Sequence, residues 1–226
     1  VGVDAGASTG VAAIAVDEAG HNTIVVVPGA NGRIDEQDVD RLVARLQPGD
    51  SLLLQFEVPL PTVIAAANAA KAQGVTVIVD PAPARADLPA EFFKAVDILT
   101  PNQIEASQLT GLDVSDIATA TEAARQLVRR GVAIAIVKLG NLGVVVATED
   151  CTFHQPALPV QAVDTVAAGD AFNGGLAVAL SEGMELKEAV QFASAVAAAS
   201  VMVPGAQASM PERSRVAALL IGLKHL

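Results

Sequence analysis

The sequence contains no tryptophan and no tyrosine, and its six phenylalanines leave aromatic residues at 3% of 226. A core must therefore be built from Ala, Val, Leu and Ile. The apolar share of 52% against 17% charged residues excludes a disordered chain. At this length roughly 70% of the unfolded surface can be buried, enough for one sizeable domain. Cysteine occurs once, so Cys151 cannot close an intrachain disulfide and the chain reads as intracellular. His21, His154 and His225 are scattered without ligand spacing, which excludes a Cys/His metal centre. No Lys/Arg cluster relieves a net charge of −11, which argues against nucleic-acid and anionic-membrane partners. The most apolar stretch, 193–203, is too short to cross a bilayer and carries Ser194 and Ser200. There is no Gly-x4-Gly-Lys-Ser/Thr run, so any phosphate site is not a P-loop. No charged segment followed by an apolar one precedes the first strand in the manner of a secretory leader.

What remains is a strong alternation of strands and helices. Residues 9–17 and 21–27 read as two strands joined by a turn at Glu18-Ala19-Gly20. They could form a separate hairpin or the edge of a larger sheet. From residue 35 the rhythm becomes βαβ: helix 35–46, strand 51–56, helix 61–73, strand 75–80, helix 89–96, strand 97–100, helices 102–110 and 116–130, and strand 132–139. Runs such as VTVIVD and AIAIVKL are apolar throughout, which implies burial on both faces in a parallel sheet. The expected fold is α/β, with a doubly wound, mostly parallel sheet and flanking helices. Residues 144–148 and 152–155 should add an antiparallel pair, and helices 168–182, 186–203 and 211–226 close the chain. No linker marks a second domain, so residues 1–226 read as one.

In such a sheet, ligands sit beyond the carboxyl ends of the strands. Glu57, Asp80, Asn102 and Gly140 follow four successive strands and together suggest a cleft. The most informative segment is DTVAAGDAFNGG, residues 164–175. Ala167, Ala168 and Gly169 present backbone N–H groups with little side-chain bulk, and the helix that starts there adds its positive end. An anion can dock on that end. Asp170, in the first turn, is the candidate general base for a hydroxyl beside it, unless it only caps the helix. Asn102 and Glu105 fall three apart at a helix start, either as a capping box or as a polar face near phosphate. Lys138-Leu139-Gly140-Asn141-Leu142-Gly143 is a glycine-bordered turn where backbone can approach a ligand.

DTVAAGDAFNGG resembles the signature of the ribokinase family of carbohydrate kinases. Pro101-Asn102-Gln103-Ile104-Glu105, the Lys138–Gly143 turn and Pro204-Gly205-Ala206-Gln207 agree with it in the same order. The Ala-Ala-Gly-Asp form is similar to the ribose-phosphorylating members rather than to relatives with Gly-Ala-Gly-Asp. The resemblance implies transfer of the γ-phosphoryl of ATP to the 5-hydroxyl of D-ribose. The alternatives are another carbohydrate or nucleoside kinase of the family, or a non-catalytic nucleotide-binding fragment.

The resemblance also implies roles for individual residues. Asp170 is the base, Glu57 and Asp170 contact the sugar, and Ala167, Ala168 and Gly169 form the anion hole. The nucleotide is held by Asn102, the turn from Lys138 to Gly143, Gly169, Asp170 and Ser194. Asn102 and Glu105 order magnesium through water, and Asp164, Val166, Ser200, Val203, Gly205 and Ser209 surround potassium, mostly through backbone carbonyls. Lys138 stands where many members have Thr, and Ser194 where some have His or Asn. Asp164 and Ser209 could equally be caps. Residues 8–28 correspond to strands of a lid over the sugar, through which family members form homodimers. Members begin with a strand, a Gly-Gly sugar-binding segment and the first half of that lid, so the sequence is expected to be N-terminally incomplete. The expected compartment is the cytoplasm.

Overall fold

A computed structural model describes residues 2–16 and 22–223. The first two strands, β1 (Val11–Val16) and β2 (Asn22–Val27), pair antiparallel as a sheet of their own. The turn expected at 18–20 lies outside the described residues, as do His21 and His225.

The main sheet has six strands in chain order: β3 (Ser51–Leu54), β4 (Thr76–Val79), β5 (Ile98–Leu99), β6 (Ile134–Lys138), β7 (Val144–Ala147) and β8 (Thr152–Gln155). The ladder is parallel from β3 to β6 and antiparallel from β6 to β8. The antiparallel pair thus sits at one edge, with the apolar β7 inside and the half-buried β8 (TFHQ) outermost.

Helix starts follow the side chains that can satisfy them. Asp35 accepts from the N–H groups of Gln37 and Asp38 to open α1 (Glu36–Val43). Asp116 accepts from Thr119 N–H to open α5 (Ile117–Arg129). Between them come α2 (Leu60–Ala72), α3 (Ala90–Ala95) and α4 (Gln103–Thr110). Helix α1 stops short of the expected residue 46, because Arg45 and Leu46 bond three residues back and tighten the chain before Pro48.

Period-two alternation assigns the two faces of the sheet. Val77, Val79, Val137 and Val145 pack in one core with α1 to α5. Ile78, Ile98, Ile136 and Val146 pack in the other with α6 (Ala168–Ser181) and α7 (Leu186–Val201). Parallel strands that step one way with right-handed crossovers put every crossover helix on the same face. The opposite layer therefore comes from helices that follow the last strand, not from a reversal of strand order. A last helix, α8 (Arg213–Leu223), covers Ala195 and Ala198 of α7 through Val216.

Helices α6 and α7 approach closely at Gly175, where an added Cβ would lie 2.9 Å from Val196 Cγ2 and 3.2 Å from Ala193 Cα. Gly175→Ala gains about 1 kcal/mol of helix propensity. It also overpacks a stiff valine and a backbone atom, a cost of about 1–3 kcal/mol. The expected result is a net loss of about 1 kcal/mol in urea unfolding; a variant more stable than the parent would show that the two helices can separate freely.

Candidate active site

Four strand ends and one helix start converge on the same rim. After β3, Gln55 and the exposed Glu57 lead into a bend, and Phe56 N–H donates to Ala82 C=O at 2.7 Å, tying that bend to the segment after β4. Asp80 follows β4 directly. Pro101 and Asn102 follow β5, and Lys138 N–H donates to Pro101 C=O at 2.8 Å. The N-terminus of α6 faces these ends.

The start of α6 has no side-chain cap. Ala167 sits at φ 59°, the only non-glycine residue with positive φ among the described residues. This left-handed turn costs an alanine about 1–2 kcal/mol. It aims the chain so that the N–H groups of Gly169 and Asp170 fall in the first turn, where the helix offers them no carbonyl. Gly169 is pressed against charge: an added Cβ would lie 3.2 Å from Lys138 Nζ and 3.5 Å from Asp80 Oδ2. Any larger residue there would displace the ammonium. Asp170 is exposed, and its Oδ1 accepts one bond, from Gln55 Nε2 at 3.3 Å. One turn on, Asn173 donates to Asp80 Oδ2. Leu53, Leu54, Gln55, Ile78, Asp80, Asp170 and Asn173 line a cavity of about 170 Å³. A broader depression of about 990 Å³ lies at the amino end of β6, among Arg125, Arg129, Glu149 and Asp150, and contains none of these residues.

Asn102 and Glu105 form a complete capping box at the start of α4. Asn102 Oδ1 accepts from Glu105 N–H at 2.9 Å, while the Glu105 carboxylate accepts from Asn102 N–H at 2.7 Å and Asn102 Nδ2 at 2.8 Å. Glu105 is buried, and burial is the main reason its carboxyl is held above the usual range. The nearby Asp80 charge pushes it the same way, while the Asn102 N–H and the Lys138 charge oppose. The cap is therefore real, and a metal contact would have to use the lone pairs left over.

The Lys138–Gly143 turn is built as the glycines suggested. Gly140 and Gly143 adopt φ 57° and 91°, and a Cβ on Gly143 would fall 2.1 Å from Gln155 C=O. Around Gly140 an added Cβ meets nothing, so its backbone is open to a ligand. His154 Nε2 lies 2.6 Å from Leu142 C=O and pins the turn. Asn141 and Leu142 are exposed, but Leu139 is buried in the core, so only its backbone can serve a nucleotide. Ser194 is likewise turned inward: it is buried on α7 and donates its hydroxyl to Val190 C=O at 2.8 Å, which satisfies it without a ligand.

The residues expected around potassium come together. Asp164 Oδ1 accepts from Val166 N–H at 3.0 Å and Oδ2 from Gly205 N–H at 2.8 Å, bonds that hold its carboxyl below the usual range, the Gly205 bond foremost. The buried Ser200 and Ser209 hydroxyls lie 2.9 Å apart. Val203 N–H donates to Ser200 C=O. Side-chain oxygens are thus committed within the loop, which leaves backbone carbonyls as the donors available to an ion. Among the described residues, no group of three or more His, Cys, Asp or Glu side chains could hold a metal.

Gln55 and Asn173 were not legible as site residues, and Asp80 was legible only by its place after a strand. Their signal is tertiary: residues 55, 80, 138, 170 and 173 meet only when the sheet and α6 are assembled.

Comparison with known proteins accords with this geometry. Residues 1–213 match the pfkB family carbohydrate kinase description. Ribokinase from Haemophilus influenzae is 42% identical over 205 residues, covering 91% of this chain and 67% of that protein. Deoxyribokinase from Salmonella typhi is 37% identical over 204 residues, covering 90% and 67%. The structure of Arabidopsis thaliana ribokinase complexed with ribose and ATP superposes with a TM-score of 0.83 at 35% identity, covering 95% of this chain and 70% of that one. The chain thus spans about two thirds of the length of these relatives. With an uncapped helix start and Asp170 on the rim of an α/β sheet, and a match over nearly its whole length, the chain belongs to the pfkB family of carbohydrate kinases.

Proposed function

We propose that the protein transfers the γ-phosphoryl group of ATP to the 5-hydroxyl of D-ribose, giving ribose 5-phosphate. The observation that carries this reading is an exposed carboxylate, Asp170, in the first turn of a helix whose free N–H groups sit beside the Lys138 ammonium. A relative's complex with ribose and ATP supports the choice of substrates. A second reading, phosphorylation of deoxyribose, is favoured by the relative of that activity. The two substrates differ by one hydroxyl, and the closed list of candidates includes other sugars and nucleosides of the family.

In this reading the 5-hydroxyl gives its proton to Asp170 as it attacks, and Glu57 with Asp170 orients the sugar. The N–H groups of Ala167 and Gly169 offset charge gathering on the transferred group, while that of Ala168 already donates to Thr165 C=O at 3.3 Å and would have to turn from it to join them. Asn102 and the backbone of residues 138–143 hold the nucleotide, with Ser194 acting at most through packing. The Asn102–Glu105 face fits magnesium through water, since that ion keeps most of its hydration and needs few protein ligands. Magnesium would neutralise charge shared between the phosphates. The 164–166 and 200–209 segments fit potassium through their carbonyls, which would add positive field near α6. The β1–β2 hairpin, with Val11, Val25, Val26 and Val27 exposed, suits a lid and a homodimer contact. The cytoplasm, where ATP and free sugar meet, is the matching compartment; among the described residues no helix is long and apolar enough to cross a membrane.

An ADP-release assay over ribose, deoxyribose, fructose and adenosine tests the substrate, with ribose expected to give the highest kcat/KM. Asp170→Asn should lower kcat for ribose by at least about 10²-fold, the lower range for loss of a general base, while an ATP analogue still binds by calorimetry. Near-parent turnover would remove Asp170 from the chemistry.

Glu105→Gln separates the metal role from the cap. Because the folded state favours protonated Glu105, its contribution is present below the ordinary value of 4.5 and is lost as pH rises through the folded value. The variant has no such loss. The thermal-midpoint advantage of the parent should therefore shrink as pH rises above the ordinary carboxyl value of 4.5, and the variant should need more magnesium without needing more ribose. An unchanged magnesium response would assign Glu105 to the cap alone.

Replacing potassium by lithium or by a bulky organic cation should depress turnover severalfold if carbonyls of the 164–166 and 200–209 segments hold the ion. Indifference to the monovalent cation in steady-state assays would remove that site.

A further inference from the structure

We infer that Asp80 and Asn173 are positioning residues that hold the Lys138 ammonium at the N-terminus of α6, where it meets the transferring phosphoryl group. The inference rests on reading that terminus as the phosphoryl site.

Three elements supply the cluster. Lys138 is the last residue of β6, Asp80 follows β4, and Asn173 lies one turn into α6. Asp80 Oδ2 accepts from both Lys138 Nζ and Asn173 Nδ2, each at 2.7 Å. The carboxylate is 6% exposed and the asparagine 5%, so water does not screen the arrangement. Lys138 ends beside Gly169, so close that a single methyl there would crowd its Nζ.

A lysine side chain carries about 2 kcal/mol of rotamer entropy and places its charge loosely unless it is tethered. Here one of its three ammonium protons is used by Asp80. The other two remain for an anion at the helix end.

The arrangement is poor as a device for stability alone. Asp80 Oδ1 and Asn173 Oδ1 are buried with no donor among the described residues. An unmet buried acceptor costs about 1–3 kcal/mol, and a buried ion pair is weak support for a fold even when fully bonded. Both donors converge instead on a single oxygen, the one that faces Gly169 and Lys138. Asp80 therefore fixes the ammonium, Asn173 fixes Asp80, and α6 carries both Asn173 and the N–H groups that the ammonium assists. Asp80 itself is not placed to take a proton from substrate, since Asp170 stands in the exposed position.

The test is a double-mutant cycle on purified full-length protein with Asp80→Ala, Lys138→Met and the double variant, which leaves no unpaired buried charge. Lys138→Met should lower kcat by about 10²-fold, as for a lost donor at a developing charge. Asp80→Ala should do the same with ribose KM unchanged. If Asp80 acts through Lys138, the double variant should match Lys138→Met in kcat rather than multiply the two losses. Asp80→Asn, which keeps an acceptor for Lys138 and offers a donor to Asn173, should restore most of the activity lost in Asp80→Ala. Losses that multiply, or a lowered thermal midpoint with unchanged kcat, would overturn the positioning role.

A binding readout stands apart from turnover. The parent should bind a non-hydrolysable ATP analogue more tightly than ADP, and the double variant should lose that preference. A preference retained in the double variant overturns the inference even if single variants fail to fold. A parent that binds the analogue but turns over no sugar would instead overturn the ribose reading and leave the lysine inference to the binding result.

Discussion

Helix geometry leaves the N–H groups of Gly169 and Asp170, in the first turn of α6, without intrahelical carbonyl partners, and the rest of the site is arranged around that deficit. In most helices a Ser, Thr, Asp or Asn side chain makes it good. Asp35, Asn102 and Asp116 do so elsewhere in this chain. At α6 the position is occupied by Ala167, in a left-handed conformation that no alanine adopts without strain. Side-chain capping is absent there, as it is at α2, α3 and α7, but at α6 the uncapped start also turns left-handed beside Lys138 and Asp80, and uncapped donors are what an anion requires. The strain is held by packing behind it, where Gly175 lets α6 lie close against α7 and Phe172 and Leu176 fill the core beneath Ile78 and Ile136.

Binding a polyanion is a particular problem for a chain of net charge −11. Long-range steering works against it, so attraction has to be local. The helix end, Lys138 and the open backbone at Gly140 supply that local field within one stretch of rim. The carboxylates nearby are handled differently according to burial. Glu105 is buried, with the charges of Asp80 and Lys138 near it, and is pushed toward its neutral form, which lessens negative charge around that pair. Asp164 is half-buried and bonded to two N–H groups, which favour its ionised form where positive charge is expected.

The βαβ rhythm was legible because buried parallel strands are apolar throughout and helix caps have short-range signatures. In the edge pair only β7 is apolar throughout, and β8 was legible as the short run that follows it across a turn. The DTVAAGDAFNGG segment showed where α6 begins and that Asp170 stands in its first turn, because small residues lead there into a helical run. What was hidden had no local signal. Gln55 and Asn173 are ordinary residues in a strand exit and a helix until the fold sets one beside Asp170 and the other beside Asp80. Leu139 and Ser194 show the reverse: their sequence positions suit a nucleotide, yet their side chains turn to the core and to the α7 backbone. Spacing fixes which residues lie near a rim, whereas the direction of each side chain depends on what it packs against.

Asp80 and Asp170 lie on the same small cavity, and either could be imagined as the base. Their surroundings divide the work. Asp80 has two donors on one oxygen, and its other oxygen is buried out of reach of a hydroxyl arriving from solvent. A proton taken there would break the tether that holds Lys138. Asp170 is exposed, keeps only the long contact from Gln55, and can turn toward a hydroxyl without disturbing anything else. In the proposed transfer, two carboxylates in different environments would serve opposite ends: the free one would meet the nucleophile's proton, and the committed one would steady the cation that meets the phosphoryl. The proposed assignment of the base rests on that difference in freedom more than on the position of either residue in a motif.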